Sequence, residues 1–124
     1  MGYAITIRSA DGSPISYARW LALAHADPEL VEAGESVWSH GDREERYLIF
    51  AWPSGDPDAG DALFVYHDGV ITVDDVSDSW VLKIGQVARD LRCIAEGDDG
   101  ETYDANGNEH RAPKPRGWAR LFRG

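Results

Sequence analysis

The chain has a single cysteine, Cys93, so it contains no internal disulfide and suits a reducing compartment. Cys93 directly follows a helical pattern and enters the apolar pair Cys93-Ile94, which reads as a small buried hydrophobe. Long apolar runs are also missing. The fullest stretches, 21–24 and 62–66, fall far short of the ~20 residues that cross a bilayer. The N-terminal residues lack the charged start and apolar run of a secretory signal. A cytoplasmic protein with no membrane partner is expected.

Signatures of chemistry are as scarce. The four histidines at 25, 40, 67 and 110 form no pair spaced to put two imidazoles on one helix face for zinc. Neither a Gly-x-Ser-x-Gly elbow nor a glycine-rich phosphate loop occurs. Asp104, Asn106 and Asn108 copy the first ligand positions of a calcium loop, but Glu109 replaces the turn glycine and Pro115 the final glutamate. The pairs Asp74-Asp75 and Asp98-Asp99 read as solvated turn acids. No catalytic residue, cofactor or metal is expected, and the chain reads as a non-enzyme.

What the chain has in excess is negative charge, and it is unevenly spread. Residues 1–108 hold 21 acidic and 7 basic side chains, whereas 109–124 hold 1 and 5, for a net −10. A field of that size repels phosphate backbones and anionic membranes and draws in basic proteins. Arg111, Lys114, Arg116, Arg120 and Arg123 with Trp118 resemble a nucleic-acid-binding pattern, but the acidic body argues against a nucleic-acid partner. The basic tail instead reads as an extended segment able to lie over its own acidic surface. With 43% hydrophobic residues the charge does not imply disorder, and 124 residues fit one compact domain.

Periodicity predicts an α+β domain with a mostly antiparallel sheet of roughly five to seven strands packed on two helices. Tyr3, Ile5 and Ile7 alternate as an opening strand. Ser16 caps a helix whose buried face is Tyr17, Trp20, Leu21 and Ala24, ending near Asp27-Pro28. Val37-Trp38 and 46–52 form a hairpin, and 53–60 is an exposed loop. Asp68-Gly69 closes a second hairpin between 62–66 and 70–73. Ser77 or Asp78 caps a second helix with Trp80, Ile84, Val87, Ala88 and Leu91 inward and Lys83, Gln86, Arg89 and Asp90 outward. Cys93-Ile94-Ala95, the turn 97–100 and 101–103 read as strand, tight turn and returning strand.

The opening residues 1–7, Pro14-Ile15-Ser16 and the helix from Trp20 to Asp27-Pro28-Glu29-Leu30 resemble a group of small bacterial immunity proteins encoded beside secreted polymorphic toxins, including type VI secretion, Rhs and contact-dependent inhibition systems. A second patch, 70–75 with the helix 80–91 and Gly97-Asp98-Asp99-Gly100-Glu101-Thr102-Tyr103, is similar to the same group. The two patches cover about half of the chain. The resemblance implies a role in interbacterial competition as a toxin inhibitor: binding a cognate toxin domain with a basic active-site cleft and occluding it. Residues 34–62 match nothing in that group, which is where specificity for one toxin would reside. Joined to the charge, this selects Asp74, Asp75, Asp98, Asp99 and Glu101 as partner-binding carboxylates, with Trp38 or Trp52 as an aromatic anchor. A general interaction or regulatory module, and a small hydrolase using Asp/Glu chemistry, stay open as other classes.

Overall fold

The computed structural model describes residues 3–111. The elements are β1 (Ile5–Arg8), α1 (Tyr17–Ala26), β2 (Val31–His40), β3 (Arg43–Pro53), β4 (Asp61–His67), β5 (Val70–Val73), a 3-10 turn (Asp78–Trp80) running into α2 (Val81–Asp90), β6 (Ile94–Gly97), β7 (Thr102–Tyr103) and β8 (Glu109–His110). The strands make one sheet in the order β2-β3-β4-β5-β1-β6-β7-β8, and every neighbouring pair is antiparallel. This is the expected single α+β domain, with eight strands. The short β7 falls within the expected returning strand 101–103, and the one strand beyond expectation is β8, whose two residues Glu109-His110 carry no apolar alternation that a sequence reading could detect.

Both helices contribute to the same core as alternate residues of the sheet. Trp20 and Ala24 of α1 and Ile84, Val87, Ala88 and Leu91 of α2 are buried with Ile5, Ile7, Leu48, Phe50, Ala62, Phe64, Ile71, Val73 and Ala95. Trp20 meets Phe50 edge-on, with centroids 5.5 Å apart at 81°, and Phe64 at 6.3 Å. Each such side chain stabilises by roughly 1.5–3 kcal/mol through burial. Cys93 is half-buried against this core, and Tyr17 is more exposed than its helix position suggests, its ring edge lying on Tyr66.

Local chemistry accounts for the boundaries. The Ser16 hydroxyl accepts the Arg19 amide at 3.3 Å and α1 stops at Asp27, one residue before Pro28. Asp68 and Gly69 both have positive φ, 52° and 85°, as a two-residue hairpin turn of this hand requires. The loop before α1 is tied onto that turn: the Ile15 amide donates to the Gly69 carbonyl at 2.8 Å, and the Tyr66 hydroxyl to the Ile15 carbonyl at 2.7 Å. Ser77 begins the second helical segment through its carbonyl, which accepts the Trp80 amide, rather than through its hydroxyl. β2 runs ten residues, well beyond Val37-Trp38. A register shift between Glu32 and Gly34, with Gly34 at φ 132°, breaks the period-two pattern there. Pairing of β2 with β3 continues out to His40 and Arg43, whereas β4 joins β3 only from Leu48 to Pro53. The outer half of this hairpin is therefore a two-stranded ribbon.

Lys83 is not outward. Its side chain is 7% exposed, and its ammonium donates at 2.7 Å to both Asp27 Oδ2 and Glu29 Oε1. The methylene stem of Lys83 thus carries its ammonium into the joint between α2 and the α1–β2 connection. Burial alone would lower its pKa, but the two hydrogen bonds and the two negative charges outweigh burial and raise it. Gly85, two residues on, lets the α2 backbone meet the β7–β8 turn: an added Cβ would sit 2.8 Å from the Asp104 carbonyl carbon and closer still to its oxygen.

Lys83→Met leaves Asp27 without its cation and is expected to cost about 2–3 kcal/mol in urea unfolding at neutral pH, below the ~3–5 of a fully buried pair because Glu29 is 62% exposed. The Lys83 contribution is complete below the ordinary lysine pKa of 10.5 and disappears as pH rises through the raised folded value, so wild type and variant should converge in strong alkali. Gly85→Ala, which in a free helix would gain up to about 1 kcal/mol, should instead lose about 1–3 kcal/mol through the collision with Asp104.

Candidate partner-binding surface

One face of the sheet supplies the core, and by strand alternation Ile49, Ala51, Leu63, Val65 and Thr72 point to the other face. Leu63 is 45% exposed on it. The register also organises the ends of the strands. Ile5 pairs with Val73 on one side and Gly97 on the other, so Val73, Ile5 and Gly97 lie in one row. The residues that leave β5 and β6, Asp74-Asp75 and Asp98-Asp99, therefore emerge at the same end of the sheet, on strands about 10 Å apart. Two carboxylate pairs separated in sequence form one acidic end.

Asp74 and Asp75 are both exposed, and Asp75 adopts φ 52°, a backbone region that Asp tolerates better than most residues. They rim a cleft of about 360 Å³ whose other lining residues are Ala59, Asp61, Leu63, Val65 and Trp80. Three carboxylates thus surround an apolar floor. Asp98 and Asp99 are exposed as well. Asp98 Oδ2 accepts the Ala4 amide at 3.0 Å, which fastens the turn to the start of β1. Among the described residues, none of Asp61, Asp74, Asp75, Asp98 and Asp99 is in an ion pair. Such a surface offers acceptors to a cationic partner without first breaking internal bridges.

Glu101 does not belong to this exposed group. It is 2% exposed, accepting the Asp99 amide through Oε1 at 3.1 Å and the Tyr103 hydroxyl through Oε2 at 2.9 Å. The turn causes this inversion: the Gly97 amide donates to the Glu101 carbonyl, the Gly100 amide to the Gly97 carbonyl, and Gly100 takes φ 83°. The chain is folded back so that the glutamate lies beneath its own loop. Burial first, and the Glu101 carboxylate second, push the Tyr103 phenol well above the usual tyrosine range. Gly97 makes the space, since a Cβ there would lie 2.6 Å from Glu101 Oε2 and closer to the Tyr3 hydroxyl.

The two tryptophans also part. Trp52 pairs with Ala62, shares the helix-covered side of β3 with Leu48 and Phe50, and is half-buried against the core, so it is not a free anchor. Trp38 stands opposite Glu45 in β2, and its side chain lies outside the described residues. Of the 109–124 tail, Glu109-His110 forms β8 and Arg111 Nε donates to Glu109 Oε2 at 2.7 Å; residues 112–124 lie outside the described part. Asp61, Leu63 and Val65 were not legible as surface residues. Val65 reaches the acidic end only through its pairing with Thr72.

The calcium-like loop is a turn. Asp104 Oδ1 accepts the amides of Asn106 and Asn108 at 2.9 and 3.0 Å, and Oδ2 lies 2.6 Å from His110 Nε2. The His110 bond, and after it the Asn108 amide, hold the Asp104 carboxyl below the usual range. Among the described residues no group of three or more His, Cys, Asp or Glu side chains is placed to hold a metal ion, and no helix is long and apolar enough to cross a membrane.

A scan against protein-family models, a search of curated proteins and a search of solved structures each find no significant match to this chain.

Gly97→Ala should cost about 1–3 kcal/mol in urea unfolding, since the new methyl displaces Tyr3 or Glu101 in a filled space. Asp99→Asn, at an exposed carboxylate, should stay within about 0.5 kcal/mol of wild type. Equal effects of the two would mean that the buried arrangement beneath the turn contributes nothing.

Proposed function

We propose that this chain is an immunity protein that binds a cognate secreted bacterial toxin domain in the cytoplasm and occludes its basic active-site cleft with the acidic end of the sheet. The observation that carries this reading is the row Val73, Ile5, Gly97, which gathers Asp74-Asp75 and Asp98-Asp99 at one end, next to the cleft rimmed by Asp61. Among the described residues those carboxylates are in no ion pair. The net charge of −10 and the likeness of 1–30 and 70–103 to toxin-linked immunity proteins point the same way.

The physical division of labour is that of a protein interface. Exposed acids steer a basic partner, raising association rates by one to three decades at low salt. The apolar floor at Leu63 and Val65 supplies area that holds the complex once formed. Glu101 and Trp52 contribute indirectly, by fixing the turn and the core beneath the surface. The chain performs no chemistry in this role, and needs neither cofactor, nucleic acid nor membrane.

The test is co-expression of the C-terminal toxin domain encoded next to this gene, with and without the chain. Growth should be restored only when the chain is present. Arrest in both cultures would overturn the reading. With purified partners, the combined reversal Asp74→Lys, Asp75→Lys, Asp98→Lys and Asp99→Lys should slow association by about tenfold or more at low salt and flatten its dependence on ionic strength. Unchanged kinetics would place the interface elsewhere.

A further inference from the structure

A second cleft, of about 370 Å³, opens at the same end of the molecule between Tyr3, Val76, Asp78, Val81, Tyr103 and Glu109. Its hydrogen-bonding polarity is fixed from below. Tyr103 has one hydroxyl proton and gives it to buried Glu101 at 2.9 Å. In the 3.2 Å pair between the two phenols, Tyr3 must therefore be the donor and Tyr103 the acceptor. Both phenol protons run inward toward Glu101. What these side chains turn to the cleft is acceptor only: remaining lone pairs of Tyr3, and the carboxylates of Asp78 and Glu109, beside two aromatic rings.

A site of acceptors and ring faces suits a cation that carries several N–H donors. The chain itself supplies one at the rim. Arg111 Nε donates to Glu109 Oε2 at 2.7 Å, and the Arg111 charge acts on Tyr103 and is felt by Glu101 and Asp99. We infer that this cleft receives the guanidinium or ammonium group of a basic side chain on the partner protein, with Arg111 the internal competitor that yields to it. The identity of the partner rests on the immunity reading; the chemistry of the cleft does not.

The experiment therefore uses a small probe and no toxin. Nα-acetyl-arginine methylamide is titrated into the ¹⁵N-labelled chain, with the citrulline analogue as the neutral isostere. The arginine probe should give saturable shifts confined to amides around Gly97, Tyr103 and Gly107, and citrulline none. Asp78→Asn should weaken the probe about two- to fivefold, the weight of a solvent-accessible ion pair, and Arg111→Gln should tighten it by a similar factor. Equal response to citrulline, shifts spread over all exposed acids, or indifference to both substitutions would overturn the assignment. Free arginine binding far more tightly than the capped probe would also overturn it, in favour of a small-metabolite site. Failure of toxin neutralisation with a responsive cleft would count against the immunity reading alone.

Discussion

The antiparallel pairing of β1 between β5 and β6 is the constraint from which the rest of the molecule follows. The first strand of the chain occupies an interior position, with Ile5 opposite both Val73 and Gly97 and Ile7 opposite Ile71 and Ala95. That insertion forces the chain to complete its last strands against a strand made at its start, so the core closes only when both halves are present. It also decides where the acids go. A one-residue slip would turn Ile5 and Ile7 to solvent and move the two aspartate pairs out of line.

The protein handles its negative charge in two ways. Where a carboxylate is enclosed or half-enclosed it has a dedicated donor: Asp27 and Glu29 share Lys83, Glu96 takes Arg8 at 2.7 Å, and Glu101 takes a tyrosine and a backbone amide. The Arg8 hydrogen bond holds Glu96 below the ordinary carboxylate range. At the acidic end the carboxylates stay in water, where their mutual repulsion is screened within about 10 Å at moderate salt. Stability and recognition thus draw largely on different acids, with Asp98 serving both because it also accepts the Ala4 amide.

Much of this architecture was legible from short-range pattern. The Ser16 cap, the spacing of Trp20 and Ala24, the stop at Asp27-Pro28 and the Asp68-Gly69 turn are each specified by residues within one turn of one another, and each forms as expected. What was not legible is long-range. Lys83 looks like a solvated helix residue until Asp27 and Glu29, 56 and 54 positions away, are brought against it. Glu101 sits in an all-polar run and reads as exposed, because nothing in Gly-Asp-Asp-Gly-Glu reveals that Tyr3 and Tyr103 roof it. β2 was hidden by its bulge. For the candidate surface, the aspartates could be named from sequence, but their convergence on one end required the register.

The β2–β3 ribbon has a consequence of a different kind. Beyond Leu48 its strand-pairing partners are only each other, and among the described side chains none past that point on either strand belongs to the core. The hairpin can gain or lose residues in pairs at its Gly41-Asp42 tip while every row of the core keeps its alignment. Changes of length and sequence there carry little thermodynamic cost, so the ribbon is the part of the described fold that can be rebuilt while the rows of the core keep their alignment.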